Sequence, residues 1–468
     1  MNLSRCHPSR RRLLGAAIAL PFIGVKARAA SAVTVTIDPA KKLRAIPENY
    51  MGLGFEISSV AVPGLLSAKN QAYVQLVKNL GRDGVIRIGG NTSDFSSYDA
   101  NGAPQSLPKG TVVNAANLRE LKTFIDATGW RLIWGLNLGA DKLDNAVEEA
   151  RAVAGIMGDR LIALELGNEP DLFPNQGHRA RGYDFTAWLA DYRRYKTAIR
   201  AVLPQVAFAG PDLAGATDWM EQFARAESDI ALLTAHHYIM GQANPAATID
   251  TMLAEEKKYQ PALARFQAAA KAAGKPWRMC ETASFSGGGK AGTSDTFAAA
   301  LWALDYLFVL ASYDCAGVNM ETGVNHLGRI SYYTPIDDDL QGHYSAAPEY
   351  YGLLAFAQAA KGEMVATACE TGGFNLTAYT VHQANGICVA IINKDQSKDA
   401  LVTIQGTGAR QARVMRLTAP SLTAMSGVAL GGADIKSDGS WQGKSQSIRP
   451  AGGMQIPAAS AALVWLGD

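Results

Sequence analysis

The sequence predicts an α/β fold, a (β/α)8 TIM barrel, followed by a C-terminal all-β sandwich domain. Between residues 51 and 323, eight apolar runs alternate with segments whose apolar residues recur at helical spacing. After about residue 360 the amino-acid composition changes, and short runs rich in Thr, Val and Ala are separated by turn residues. Eight buried strands separated by helices within about 300 residues are typical of this barrel.

The eight apolar runs are the expected parallel strands of the barrel. In chain order they cover residues 51–56, 84–90, 131–139, 161–170, 206–213, 230–238, 276–282 and 315–323. Amphipathic stretches such as 117–129, 144–158 and 185–204 lie between them and are expected to form the helices. We therefore expect the barrel to occupy residues 45–350.

The remaining chain, residues 351–468, is expected to form the β-sandwich. Residues 375–383 and 387–395 flank the turn Ala384-Asn385-Gly386 and read as a hairpin. Three further runs read as strands: 400–405, 412–419 and 461–467. The segment 30–44, which includes the strand-like run VTVTID, is expected to join the sandwich.

Residues 1–29 have the pattern of an export signal. Arg10-Arg11-Arg12 precede Leu13-Leu14 and a short apolar run, and Ala27-Arg28-Ala29 is a small-x-small cleavage site. The arginines followed by leucines favour a bacterial twin-arginine signal, with an ordinary secretory signal as the alternative. Cleavage is expected after Ala29, with Ala32 as the second choice. The mature chain would then be periplasmic or secreted, without a membrane anchor.

Loss of the signal changes the charge of the chain. Residues 1–29 hold six of the 44 basic residues and no acidic one, which leaves 38 basic against 42 acidic side chains and a net charge of −4. A slightly acidic chain argues against nucleic-acid binding and against gripping a highly sulfated polymer. We expect a monomer.

The cysteines do not indicate a metal site. Cys280, Cys315, Cys369 and Cys388 show no CxxC or Cys/His spacing, so zinc is not expected. A disulfide between Cys369 and Cys388 and four free thiols both stay open at this point.

Two strand ends bring carboxyl groups to one end of the barrel. The fourth run ends in Asn168-Glu169, and the seventh ends in Glu281. Active sites of these barrels lie at the carboxyl ends of the strands. Glycoside hydrolysis needs two carboxyl groups there, one as proton donor and the other as nucleophile or base. A salt bridge at the rim is the structural alternative for each Glu.

The sixth run adds a second polar group to the same end. Alternation along a strand puts His236 and Tyr238 on one face and His237 on the other. A tyrosine hydroxyl there can hold a carboxylate in its ionised form. Core packing is the alternative, and a metal pair is disfavoured because no third ligand has matching spacing.

The first and second runs supply more polar side chains. The second reads RIGGNTSDF, in which Arg87 can orient a nucleophile or pair with a rim carboxylate. Asn91 and Asp94 follow it at positions suited to sugar hydroxyls, and Glu56 ends the first run. The glycine triplet at residues 287–289 lets backbone amides approach an anion, with a flexible loop as the alternative.

Together these residues resemble glycoside hydrolase family 79, the β-glucuronidase and heparanase group of a large retaining (β/α)8 clan. The stretch ETASFSGGGKAGTSDTFAAALWALDYL at 281–307 is similar to heparanase-type sequences. The Asn-Glu pair, the RIGGNTSDF segment, the HHY of the sixth run and the terminal sandwich also fit. The resemblance covers the mature chain.

The resemblance implies roles for individual residues. Glu169 matches the acid/base, Glu281 the nucleophile and Asn168 the residue that bonds the 2-hydroxyl, whereas His236 and Tyr238 match an active-site pair. Three further residues fall where the family contacts the same sugar: Glu56, Asn91 and Asp94.

The resemblance also implies a pocket for the uronic carboxylate. The amides of Gly287 and Gly288 match those that bind it, and Tyr333, or else Tyr332, matches a tyrosine after the eighth strand. The chain departs from heparanases at Ser286, where they carry a tyrosine. Recognition is expected from amides and a tyrosine rather than from a salt bridge.

The resulting expectation is a retaining exo-β-D-glucuronidase that removes terminal glucuronic or 4-O-methylglucuronic acid from glycans without a cofactor. An endo-acting, heparanase-like enzyme would share every catalytic residue. The sequence also leaves open a pentosidase of the same clan and a non-catalytic glycan-binding barrel.

Overall fold

The computed structural model describes residues 32–254, 256–449 and 452–467. The expected export signal, with cleavage after Ala29, lies outside the described residues.

Eight parallel strands form the barrel that the sequence predicts. They are Met51–Glu56, Val85–Gly89, Arg131–Leu136, Leu161–Leu166, Ala209–Leu213, Leu232–Gly241, Trp277–Ser286 and Cys315–Glu321. Neighbours in chain order pair with each other except the fourth and fifth, and the eighth pairs with the first. A bridge between Leu164 and Phe208 joins the fourth and fifth strands and nearly closes the ring. The fold prediction is confirmed.

The sixth and seventh strands are longer than the sequence patterns indicate. The sixth reaches Gly241 and the seventh reaches Ser286, because the two continue to pair with each other above the barrel rim. Phe285 lies opposite Met240, and Ser286 lies opposite Gly241. Glu281 therefore lies within a strand, and not at a strand end as the sequence pattern predicts.

Helices follow the strands and cover the barrel. The main ones are Gln71–Asn79, Ala115–Thr128, Leu143–Met157, Phe185–Val202, Thr217–Ala226, Ile249–Ala254, Glu256–Ala273, Phe297–Ser312 and Pro348–Ala359. Asn114 begins the second of them with a capping box that it forms with Asn117. The helix Phe297–Ser312 is buried on nearly every side, because strands of the second domain pack against its outer face.

The second domain is an antiparallel β-structure with its own core. Its longer strands are Glu363–Glu370, Leu376–Gln383, Gly386–Asn393, Ala400–Gln405, Gln411–Thr418 and Ser460–Gly467. The N-terminal strand Ala32–Ala45 pairs with Glu363–Glu370 and runs parallel to Ala400–Gln405. Its Val33, Val35 and Ile37 belong to the apolar core of this domain.

Two questions that the sequence raises have structural answers. The division expected at residues 350 and 351 falls inside the helix Pro348–Ala359, which follows the eighth strand and packs against the helix Phe297–Ser312. Cys369 and Cys388 are free thiols, as are the two other cysteines of the described residues. No helix in the described ranges is long and apolar enough to traverse a lipid bilayer.

Candidate active site

A cavity of about 320 Å³ opens at the carboxyl ends of the barrel strands. Its ionisable lining is dominated by four carboxyl groups, those of Glu56, Glu169, Glu281 and Glu321. Small, partly enclosed cavities with convergent polar groups are the usual form of a ligand site.

Glu169 and Glu281 face each other across this cavity. One carboxyl oxygen of each lies within 4.8 Å of the other. Retaining glycosidases keep their carboxyl groups about 5–5.5 Å apart, whereas inverting ones separate them by about 6.5–9.5 Å to admit water. Glu169 has a left-handed backbone (φ 51°) that non-glycine residues rarely adopt, a form of strain that clusters at functional sites.

Arg87 lies beneath the pair and is fully buried. It donates through Nη1 to Glu281 Oε2 at 2.8 Å and through Nη2 to Asn168 Oδ1 at 2.8 Å. Nε donates to Glu165 Oε2 at 3.1 Å. A Cβ at residue 89 would overlap the guanidinium, so only glycine fits there. Of the two sequence interpretations of Arg87, the structure supports orientation of Glu281.

His236 links the two carboxyl groups. Nδ1 lies 3.1 Å from Glu169 Oε1 and 3.7 Å from Glu281 Oε2, and Nε2 lies 2.7 Å from Asp212 Oδ1. Burial lowers the pKa of His236, but the negative charges of Asp212 and Glu281 outweigh it and hold the pKa well above the usual range. The charged ring then donates from both nitrogens.

Asp212 ties these groups together. Its carboxylate accepts from Arg87 Nη2 at 2.5 Å, and its backbone carbonyl accepts from the Glu169 N–H at 3.0 Å. Burial raises the pKa of Asp212, but the charges of Arg87 and His236 lower it more, to about 2. Asp212 is therefore an anion that holds the acid/base candidate directly through its backbone carbonyl and indirectly, through His236, with its side chain.

The two facing carboxyl groups have different surroundings. Burial raises the pKa of Glu169 above its ordinary value, although the hydrogen bond with His236 opposes the shift. Glu281 instead accepts two hydrogen bonds, from Arg87 and from Tyr238 Oη at 2.8 Å. Burial thus favours the protonated form of Glu169, which suits an acid, and the two donors fix the orientation of Glu281, which suits a nucleophile.

The strand alternation expected for the sixth strand is present. His236 and Tyr238 both contact the carboxyl pair, whereas His237 Nδ1 points away and bonds Tyr306 Oη at 2.9 Å. Asn168 is buried beside them. Its Nδ2 is buried and contacts no hydrogen-bond partner within the part of the chain that the structure describes.

The glycine loop forms one wall of the cavity. Gly287 and Gly288 have φ values of 85° and 102°, which strain any residue except glycine. Within the described ranges, their N–H groups donate to no protein acceptor. Tyr333 lines the cavity beside them, and its ring lies 6.1 Å from that of Tyr238. Tyr332 does not line it; its N–H bonds Gly288 O at 2.6 Å.

Of the three further residues that were expected to contact the sugar, two line the cavity and one does not. Glu56 and Asn91 line the cavity, and Glu56 accepts from the Asn91 N–H and from Thr92. Asp94 does not line it. Its carboxylate lies behind the wall and accepts from the N–H groups of Leu138, Gly139 and Asn168. We therefore correct its expected role as a sugar ligand. The three backbone amides use the Asp94 carboxylate, which shapes the loop that carries Asn168.

Sequence reasoning missed four residues. Glu321 ends the eighth strand, lines the cavity and lies against Gly54, where a Cβ would overlap its carboxyl group. Asp212 lies at the end of the fifth strand, and Glu165 lies near the end of the fourth. The rule that polar strand ends carry chemistry could have found these three. Arg329 lies in a loop and gave no sequence signal.

Two groups of described side chains have the spacing of a metal site, one of Glu165, Asp212 and Cys280 and the other at the facing carboxyl pair. Donor atoms of Glu169, His236 and Glu281 lie within 4.8 Å of one another. Both ring nitrogens of His236 already bond carboxylates, and Glu281 already accepts from Arg87 and Tyr238. These groups satisfy one another without an ion.

Comparison with known proteins gives related sequences and related folds. No protein-family model matches the chain. A β-glucuronidase of Neurospora crassa is 27% identical over 70% of this chain and 66% of its own length. A β-glucuronidase of Aspergillus niger is 27% identical over 75% of this chain and 73% of its own. The chain thus spans about two thirds of the first relative.

Solved structures share the architecture. A 4-O-α-L-rhamnosyl-β-D-glucuronidase from Fusarium oxysporum has a TM-score of 0.76 at 21% identity, covering 92% of this chain and all of its own. An α-L-arabinofuranosidase from Thermotoga maritima has a TM-score of 0.68 at 14% identity, covering 92% and 99%. At such identities these likenesses establish the fold, a TIM barrel with a C-terminal β-domain.

Proposed function

We propose that this chain is a retaining exo-β-D-glucuronidase that releases terminal glucuronic or 4-O-methylglucuronic acid from glycans. The observation that carries the proposal is the pair Glu169 and Glu281, whose carboxyl oxygens come within 4.8 Å. That separation suits direct attack by one carboxylate and is shorter than the spacing that inverting enzymes use to admit a nucleophilic water.

The reaction has two displacements. The Glu281 carboxylate attacks the anomeric carbon while Glu169 gives its proton to the leaving oxygen, so a glycosyl ester forms and the aglycone departs as an alcohol. Glu169, now a carboxylate, takes a proton from water, and that water oxygen attacks the same carbon. The ester bond breaks, Glu281 leaves as a carboxylate and the product keeps the β-configuration.

The fixed groups around the pair support these steps. Arg87 and Tyr238 donate to Glu281 and fix its orientation, and His236 holds Glu169 at hydrogen-bonding distance. We expect the Nδ2 of Asn168, which has no hydrogen-bond partner in the described residues, to bond the sugar's 2-hydroxyl, a contact that gains strength in the transition state. No step requires a metal or an organic cofactor.

The uronic carboxylate is expected at the glycine loop. The unpaired N–H groups of Gly287 and Gly288 offer two backbone donors to an anion, and Tyr333 lies on the same wall. The two β-glucuronidase relatives support a substrate of this class. Membership of glycoside hydrolase family 79 and export through a twin-arginine signal are further parts of the proposal.

The decisive experiment compares three aryl β-glycosides. The chain is incubated with an aryl β-glucuronide, the matching β-glucoside and the matching β-xyloside, and proton NMR follows the first-formed anomer. We expect release from the glucuronide with β-glucuronic acid formed first. No release from the glucuronide, or the α-anomer first, would overturn the proposal; release from a pentoside alone would favour a pentosidase instead.

A further inference from the structure

Arg329 contributes the one cationic side chain among the described residues that line the cavity. It lies in the loop after the eighth strand, and its side chain is exposed at the rim. Its Nη2 is 3.5 Å from the carbonyl oxygen of Gly287. The guanidinium therefore lies next to the glycine loop on which the uronate-binding amides occur.

The position of Arg329 matters because the other ionisable side chains that line the cavity are acidic or neutral. Four carboxyl groups share the cavity, and burial raises the pKa of Glu56 to about 7 and that of Glu321 well above its ordinary value. Even with these two acids protonated, the Glu281 carboxylate repels an incoming anion at close range. Two backbone amides carry only partial charges, so a full positive charge beside them offsets more of the repulsion that an incoming carboxylate meets.

A guanidinium suits this task on chemical grounds. It stays charged at all working pH values and presents parallel N–H donors that match the two oxygens of a carboxylate. At the open rim it can meet the carboxylate without the cost of burying an unpaired cation. Its contact with Gly287 O at 3.5 Å is long for a hydrogen bond, so that contact does not occupy the group fully.

We propose that Arg329 is a specificity-determining residue that binds the uronic carboxylate together with the Gly287 and Gly288 amides. This rests on the proposed β-glucuronidase function and replaces the expectation that no salt bridge takes part. Arg329 thereby sets the preference of the site for glucuronides over uncharged sugars of the same shape.

A purely structural role makes a different prediction. Arg329 and Gln242 Nε2 both approach Gly287 O, so the arginine could simply tie two loops together. Loss of such a tie would impair charged and uncharged substrates alike. A substrate that differs only in charge separates the two roles.

The experiment measures kcat/KM of Arg329→Ala and Arg329→Lys on an aryl β-glucuronide and on its uncharged uronamide. The control is Lys290→Ala, which removes a cation that directly follows the glycine triplet and does not line the cavity. We expect Arg329→Ala to lower kcat/KM by about 10- to 100-fold on the glucuronide, chiefly through KM, and by less than about 3-fold on the uronamide. Arg329→Lys should recover part of the loss, and the control should leave both substrates unaffected.

Equal losses on both substrates, or no loss, would overturn the proposal. Should the wild-type chain fail to cleave the glucuronide, the proposed function fails, and calorimetry with free D-glucuronate still tests Arg329. Binding to the wild type that Arg329→Ala abolishes would support the role. Binding that is absent from the wild type, or unchanged in the variant, would refute it.

Discussion

Glu149 is expected to make the stability of the protein fall as the pH rises. This residue lies in the helix Leu143–Met157, and only 1% of its surface is exposed. One carboxyl oxygen accepts from Trp134 Nε1 at 2.9 Å, and the other has no partner within the described residues. Burial raises the pKa of Glu149 from 4.5 to about 7, although the Trp134 hydrogen bond opposes the shift.

The magnitude follows from this shift. A folded state that holds its proton more tightly than the unfolded chain loses stability as both become ionised. The loss begins above the unfolded pKa of 4.5 and is complete above about 7. Since one pKa unit corresponds to about 1.4 kcal/mol, Glu149 costs about 3 kcal/mol at pH 8 and almost nothing at pH 4.5.

The test compares Glu149→Gln with the wild type in urea-induced unfolding at pH 4.5, 6 and 8. The amide cannot ionise, so the variant should gain about 3 kcal/mol relative to the wild type between pH 4.5 and pH 8. Glu148→Gln, on the exposed face of the same helix, should show no such trend. A stability difference between Glu149→Gln and the wild type that stays constant across the three pH values would refute the reasoning.

Three predictions concern the catalytic groups. Asp212→Asn removes the counter-ion of His236 and should lower kcat/KM on an aryl β-glucuronide by roughly 10- to 100-fold; wild-type kinetics from a folded variant would contradict this. Tyr238→Phe removes a donor to Glu281 and should cost about 1.5 kcal/mol, roughly 10-fold in kcat/KM, and an unchanged rate would show that this contact is dispensable. Because burial raises the pKa of Glu169, activity should disappear as the pH rises through that pKa. In Glu169→Ala this alkaline loss should vanish, and activity should persist only on substrates with good leaving groups; a retained alkaline limb would assign the titration to another residue.

The barrel could be predicted because its strands are apolar and its helices amphipathic. The C-terminal limit of the seventh strand could not be predicted from the sequence. The extra pairing of Phe285 with Met240 depends on a neighbour from another part of the chain. Glu169 and Glu281 could be predicted as a pair because strand order places them at one end of one barrel.

Further parts of the site depend on contacts that a single sequence does not contain. Asp94 looked like a sugar ligand, but three backbone amides from two other loops use its carboxylate. Asp212 acquires its importance from Arg87 and His236, which come from different strands. Arg329 reaches the cavity through the path of a loop, which neither apolar periodicity nor strand alternation predicts.

The N-terminal strand Ala32–Ala45 has a consequence for the order in which the protein folds. Its partners lie at residues 363–370 and 400–405, so the earliest described segment waits for more than three hundred later residues before its backbone groups are paired. Until then it is an open edge that can pair with other chains. Removing Ala32–Ala45 would leave Glu363–Glu370 and Ala400–Gln405 without the strand that lies between them, so the N-terminal strand is needed for a stable second domain.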